Sequence, residues 1–314
     1  MIVIAALVAA GIALGVVVPA VLTRVDFGAA PGVGMMAWLG AIAAVFGCGA
    51  LVLIALAWPG DPPGEEFAGG VVRSLAAIEP VVVTWTARLI MPVVAIGMIV
   101  PTGQLAWIAL GHRGRGVARR RRHNELVEIL GRADPAGAKV VRLDHPIPLA
   151  YSVAGRGGYV VVTDGLARCL TDAQWHAVLA HERAHLRGFH HHILGVCQVL
   201  ARAFWWIPLF AAAPAALTTL VELAADRTAA ASTDPQDLCA ALNTVAAHAT
   251  TPVTPLGFVD EALAMRLECL SSAPESRSAA RRMAAVMAFA TMLLAPIASV
   301  VAVGLSAGLV LLLV

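Results

Sequence analysis

The residues best suited to chemistry lie in one short segment, His181-Glu182-Arg183-Ala184-His185. Residues four apart share one face of an α-helix, about one turn from each other. Two imidazoles at that spacing can bind one tetrahedral Zn²⁺ ion, with Zn–N distances of about 2.0–2.1 Å. Glu182 lies beside them and can take a proton from the attacking water without binding the metal. The segment therefore predicts a single Zn²⁺ ion and peptide-bond hydrolysis, with Glu182 as the catalytic base.

A catalytic zinc site needs a third protein ligand and one open position. Glu222 is the best candidate, because Glu222 and Asp226 are again four residues apart on a second predicted helix. Glu222 would bind the metal, and Asp226 would accept a hydrogen bond from a ring N–H of a ligand histidine. Two other third ligands remain open, namely Asp226 itself and the tract His190-His191-His192.

The helix that carries the first motif has a clear start. Thr171-Asp172-Ala173-Gln174 is typical of a capping box, and apolar residues then recur at helical spacing. Before it, residues 139–143 and 159–163 are β-branched runs, and glycines at 155–158 favour a turn. These patterns predict a small antiparallel sheet followed by the motif helix.

The composition excludes an ordinary water-soluble protein. Apolar residues make up 59% of the 314 residues and charged residues only 13%. Four apolar stretches are long enough to span a bilayer: Met1–Leu22, about Gly34–Trp58, about Leu89–Leu110, and Met283–Val314. Five scattered cysteines form no C-x-x-C pair, so a zinc site built on thiolates is not predicted.

Arginine placement predicts the orientation in the membrane. Six arginines lie between positions 113 and 122, directly after the third span, and such blocks mark the cytoplasmic side. We therefore expect an integral, multi-pass protein of the cell membrane with both termini outside. Residues 1–111 would hold three spans and an external loop near 59–88, residues 112–282 the cytoplasmic domain, and residues 283–314 the last span. The arginine block is interpreted as a topology signal, so direct nucleic-acid binding is not expected.

The apolar segment 193–217 needs a separate interpretation. If it crossed the membrane, Glu222 and His185 would lie on opposite sides and could not share a metal. We therefore expect this segment to be interfacial or re-entrant, and Trp205-Trp206 suits such a position.

With its Glu222-x-x-Ala225-Asp226 continuation, the motif resembles those of the membrane gluzincins. The resemblance implies a mostly α membrane protein with four transmembrane helices and a cytoplasmic α+β zinc peptidase domain. Three spans before the motif and one after it, and the segment Trp205–Leu209, favour the BlaR/MecR-type branch. That branch signals by cleaving a cytosolic repressor or triggering its loss. The HtpX/CAAX-protease-type branch, which implies quality control or processing, is the alternative.

The sequence departs from the BlaR/MecR pattern at its end. It stops at Val314 and contains no Ser-x-x-Lys, since Lys139 is its only lysine. We therefore expect no C-terminal penicillin-binding sensor domain. The expected partners are a protein substrate, such as a helix-turn-helix repressor, and the lipid bilayer, and a homo-oligomer remains open. A non-enzymatic receptor with a structural zinc is the remaining alternative.

The gluzincin resemblance also implies groups that contact the substrate. A donor to the tetrahedral oxyanion is expected, and Tyr151, His190 and Arg227 are unranked candidates. By the same analogy, the strand at 159–163 is expected to pair with an extended substrate.

Overall fold

The structure is a computed structural model that describes residues 2–57, 103, 107–108, 111, 131–133, 139–155, 157–248 and 256–271. The predicted loop near 59–88, the arginine block and the last span lie outside the described residues, as does nearly all of the third span.

Two apolar helices begin the chain. Helix α1 spans Ile2–Leu22 and α2 spans Pro31–Ala57, close to the first two predicted spans, and the two pack against each other. In the part of the chain that is described, three helices are long and apolar enough to cross a membrane. The third is Pro208–Ala230, which was not among the four predicted spans.

The segment predicted to be interfacial or re-entrant forms part of a helical hairpin. Helix α5 (His190–Ala203) and helix α6 (Pro208–Ala230) pack side by side and are joined by residues 204–207. At its tip, the ring of Phe204 lies 5.9 Å from that of Phe46, midway along α2. Ile207, also at the tip, lies close to Gly15 of α1. A Cβ added to Gly15 would be 3.0 Å from Cγ2 of Ile207. The tip therefore reaches the middle of the α1–α2 pair.

The opposite end of α6 lies beside the α1–α2 connection. Arg227 donates a hydrogen bond to the carbonyl oxygen of Ala29, and Leu220 packs against Gly34 at the start of α2. The connecting loop and the end of α6 that carries Glu222 are therefore at the same end of the helical bundle.

The described strands form one four-stranded sheet. Strands β1 (Gly131–Ala133), β2 (Val140–Leu143), β3 (Ala150–Val153) and β4 (Tyr159–Thr163) are arranged in the order β1-β2-β4-β3. The predicted antiparallel hairpin is present as β3 and β4, but β2 and β4 are parallel. Because β4 lies between two strands, its backbone groups are already paired and it cannot accept a substrate strand. The predicted pairing of residues 159–163 with substrate is therefore wrong, and the described edge strand on that side is β3.

Four more helices complete the described fold: α3 (Asp164–Cys169), α4 (Asp172–Arg187), α7 (Pro235–Ala247) and α8 (Leu256–Ser271). The buried face of the sheet, centred on Val160 and Val162, packs against Leu179 of α4. On its other side, α4 packs against α6 and α7 through Ala177, Ala229 and Leu238. Helix α6 thus contacts both the apolar helices and the motif helix.

Candidate metal centre

Helix α4 presents the two motif histidines on one buried face. The predicted capping box is confirmed, since Thr171 accepts from the backbone N–H of Gln174 and the Gln174 side chain accepts from that of Thr171. One turn apart near the end of this helix, His181 and His185 place their Nε2 atoms 3.0 Å from each other. The two side chains are only 9% and 11% exposed, so their rings are held in place by packing.

Glu222 of α6 reaches the same point from the opposite side. Its carboxylate oxygens lie 3.5 Å from Nε2 of His181 and 3.5 Å from Nε2 of His185. Ligand atoms held 2.0–2.1 Å from one tetrahedral ion are about 3.3 Å apart. The observed separations of 3.0–3.5 Å therefore fit a single Zn²⁺ ion bound by these three residues, and the donor set of two imidazoles and a carboxylate suits zinc.

Asp226 and Arg266 surround this group. The carboxylate of Asp226, one helical turn beyond Glu222, lies 2.9 Å from Nδ1 of His181, which is ion-pair distance. Arg266 of α8 donates two hydrogen bonds of 2.7 Å to Asp226 and also lies 3.1 Å from Glu222. One guanidinium therefore fixes both carboxylates, and Asp226 in turn orients His181.

His185 has a different partner. Its Nδ1 lies 3.0 Å from Nδ1 of His190, which is 5% exposed. The turn between α4 and α5 makes this contact, because Phe189 adopts the left-handed conformation (φ 53°) and starts a new helix at His190. Gly188 is needed here, since a Cβ at that position would lie 2.3 Å from the His190 ring. If Nε2 of His185 binds the metal, its Nδ1–H donates to His190.

A cavity of about 340 Å³ opens onto the three candidate ligands. Glu182 lines it, together with Tyr151 and Ser152 of the edge strand β3. Oγ of Ser152 lies 3.0 Å from Nε2 of His191 at the start of α5. A ligand in this cavity would therefore meet Glu182 on one side and strand β3 on another.

The electrostatics of the histidines reflect their neighbours. Burial lowers the pKa of His181, but hydrogen bonding to Asp226 and Glu222 outweighs it and raises that pKa to about 9. The pKa of His185 is lowered by burial and by the charge on His181. Burial also raises the pKa of Glu182, which makes this carboxylate a stronger base.

The structure brings most of the predicted site residues together. His181, His185 and Glu222 cluster, and Glu182, Tyr151 and His190 line the same cavity. Arg227 does not join them, because it points to the α1–α2 connection one residue past Asp226, on another face of α6. The sequence analysis missed Arg266 entirely, and no local motif marks it, since it lies 40 residues beyond its partner Asp226.

Residues 118–219 match the profile of peptidase family M48. The matched range contains the His181–His185 motif and ends three residues before Glu222. No curated protein and no solved structure gives a significant match to the chain. The match does not identify the BlaR/MecR-type branch. The matched residues are similar to the metallopeptidases of family M48, and the described part of the chain also holds apolar helices long enough to cross a membrane.

Proposed function

We propose that this protein is an integral-membrane zinc metalloendopeptidase that hydrolyses peptide bonds of a cytosolic or membrane protein. The observation that carries the proposal is the convergence of Nε2 of His181, Nε2 of His185 and the Glu222 carboxylate within 3.5 Å of one another, with Glu182 beside them in an open cavity. The family match supports the same chemistry.

In the proposed reaction, different residues bind the metal, transfer the proton and orient the metal ligands. His181, His185 and Glu222 would hold Zn²⁺, which supplies Lewis acidity to the scissile carbonyl when bound. Glu182 accepts a proton from the attacking water and later donates it to the leaving amine. Asp226 and His190 hold the two histidine rings in the orientation and tautomer that leave each Nε2 free to bind. Tyr151 lines the cavity and is a candidate donor to the oxyanion.

The edge strand β3 is the proposed site of substrate alignment. It runs along the cavity, and Tyr151 and Ser152 belong to it. An extended substrate that added to this edge would lie across the three candidate ligands, since backbone pairing fixes its direction and register. In this proposal β3, and not the strand at residues 159–163, pairs with the substrate.

The finer part of the proposal is a signalling role, in which the substrate is a transcriptional repressor of the helix-turn-helix type. It depends on the BlaR/MecR resemblance of the sequence. The rival role is quality control or processing of membrane proteins, as in HtpX/CAAX-type proteases. Comparing the proteomes of cells that express wild-type or Glu182→Gln protein separates them. Accumulation of one repressor supports signalling, and accumulation of many membrane proteins supports quality control.

The receptor alternative would need zinc to be purely structural, with a fourth protein ligand closing the site. Within the residues that the structure describes, the cluster that could hold a metal has three members. Purified protein tests the two readings directly. A peptidase should cleave an unfolded protein such as casein, lose that activity in 1,10-phenanthroline and regain it with added Zn²⁺. Retention of zinc with no hydrolysis of any protein or peptide substrate would support the receptor.

A further inference from the structure

A second cavity, of about 650 Å³, adjoins the candidate metal centre. It lies between the turn that joins β3 to β4 and the outer face of α4. His185 and His191 line both cavities, so the two cavities are adjacent. A chain bound across the metal centre would therefore have residues close to this second cavity.

The walls of this second cavity are basic. Its lining includes the exposed side chains of Lys139, Arg183, Arg187 and His192. Arg183 and Arg187 are one helical turn apart on the same face of α4. No aspartate or glutamate is among the described residues that line it. A concave surface of one charge sign concentrates its field and attracts ligands of the opposite sign. We call this surface the cationic groove.

The described residues of the floor of the cationic groove are small. It is formed by Ala154, Gly155, Gly157 and Gly158 of the β3–β4 turn. Gly157 has φ +85°, a conformation that favours glycine, and a Cβ there would meet no atom within 4 Å. These four small residues leave room beside them for an extended chain.

We propose that the cationic groove binds acidic side chains of the substrate, next to the bond that is cleaved. The inference rests on the proposed function, because the groove acts on a chain that the metal centre holds. Arginine suits this task, since its planar guanidinium can donate two parallel hydrogen bonds to one carboxylate. Segments with Asp or Glu to one side of the scissile bond are therefore the preferred substrates.

A peptide library tests the preference. Purified full-length protein in neutral-lipid nanodiscs is incubated with a proteome-derived library, and the products are sequenced by mass spectrometry. We expect Asp and Glu to be enriched within about four residues on one side of the cleaved bond, because a residue in an extended chain spans about 3.3 Å. Cleavage without acidic enrichment overturns the inference but not the proposed function. Absence of any cleavage overturns both.

Charge reversal identifies the groove. For a matched pair of peptides, one with Glu and one with Gln, the ratio of kcat/KM values is measured in wild-type protein and in Lys139→Glu/Arg187→Glu. We expect the ratio to fall about tenfold, as two exposed charge contacts are reversed. The control is Arg168→Glu, an exposed arginine of α3 outside the groove, which should keep the wild-type ratio. An unchanged ratio in the double variant overturns the inference. If the double variant does not fold, Lys139→Gln and Arg187→Gln should each lower the ratio by a smaller factor.

An anionic lipid headgroup is the competing ligand. The same ratio is therefore measured in nanodiscs with and without phosphatidylglycerol. If the double variant alters only the response to phosphatidylglycerol and leaves the peptide ratio as in wild type, the groove is a lipid site and the inference is wrong.

Discussion

Arg266 donates two parallel hydrogen bonds of 2.7 Å to the carboxylate of Asp226, and its third nitrogen lies 3.1 Å from Glu222. A residue from α8, late in the chain, thus fixes a proposed metal ligand and the group that orients another. Asp226 is only 2% exposed, so its buried negative charge needs the positive charge of Arg266 to compensate for the loss of water.

Removing that partner should weaken the metal site. We expect Arg266→Ala to lower the zinc affinity about 10- to 100-fold, which is the usual effect of losing a group that orients a ligand. Arg266→Lys should lie in between, because lysine keeps the charge but loses the planar fork. Competition with a chromophoric chelator measures the affinity, and circular dichroism monitors folding. Arg168→Ala is the control, and equal affinities for Arg266→Ala and wild type would exclude this role.

His190 should act on the metal through His185. Because His190 accepts the Nδ1–H of His185 in the proposed metal-bound form, His190→Ala leaves a buried donor without a partner. We expect zinc affinity to fall by about tenfold or more. His192 of the same tract is exposed, so His192→Ala should leave the affinity within about twofold. If both variants lost zinc equally, the tract itself would be a ligand source.

Zinc binding should depend on pH through His181. In the metal-free protein its pKa is about 9, so the ring is protonated at neutral pH and a proton must leave before the metal binds. We therefore expect zinc affinity to rise by about tenfold per pH unit as the pH approaches 9, and to level off above it. Asp226→Asn should move the plateau to lower pH, because it removes one of the two contacts that raise the pKa of His181. The measurement is zinc affinity at a series of pH values between 6.5 and 9.5. An affinity that does not change over this range would show that His181 releases no proton when zinc binds.

The α5–α6 hairpin should enter the bilayer from the side of the metal centre. In a variant without native cysteines, Trp205→Cys should resist membrane-impermeant maleimides in vesicles and react after denaturation, because the tip lies against mid-α1 and mid-α2. Arg24→Cys and Ser232→Cys should both react, and from the same side, which the sequence predicts to be cytoplasmic. Rapid labelling of Trp205→Cys in vesicles would place the tip in water instead.

Local patterns predicted the parts of the site that depend on helical geometry. The spacing of His181 and His185, the capping box at Thr171, and the pairing of Glu222 with Asp226 on one face all follow from the 3.6-residue repeat. The need for Glu222 to reach the histidines also led to the prediction that the segment 193–217 does not cross the membrane; in the structure that segment contributes to the α5–α6 hairpin.

The features that the sequence did not reveal depend on distant contacts. Strand order is one, since the parallel pairing of β2 with β4 leaves no local trace and turned the expected substrate strand into an interior one. Arg266 is another, since it meets Asp226 only once α8 packs against α6. The contact of His190 with His185 requires the left-handed turn at Phe189, a conformation that a phenylalanine in the sequence does not suggest.

The central claim is that His181, His185 and Glu222 hold one catalytic zinc ion while Glu182 acts only as a base. The most direct measurement is the zinc content per chain of purified wild-type, Glu182→Gln and Glu222→Gln proteins, made by mass spectrometry of the metal. The account predicts about one zinc in wild-type and in Glu182→Gln protein, and a large loss in Glu222→Gln. Full zinc occupancy in Glu222→Gln, or loss of zinc in Glu182→Gln, would contradict it.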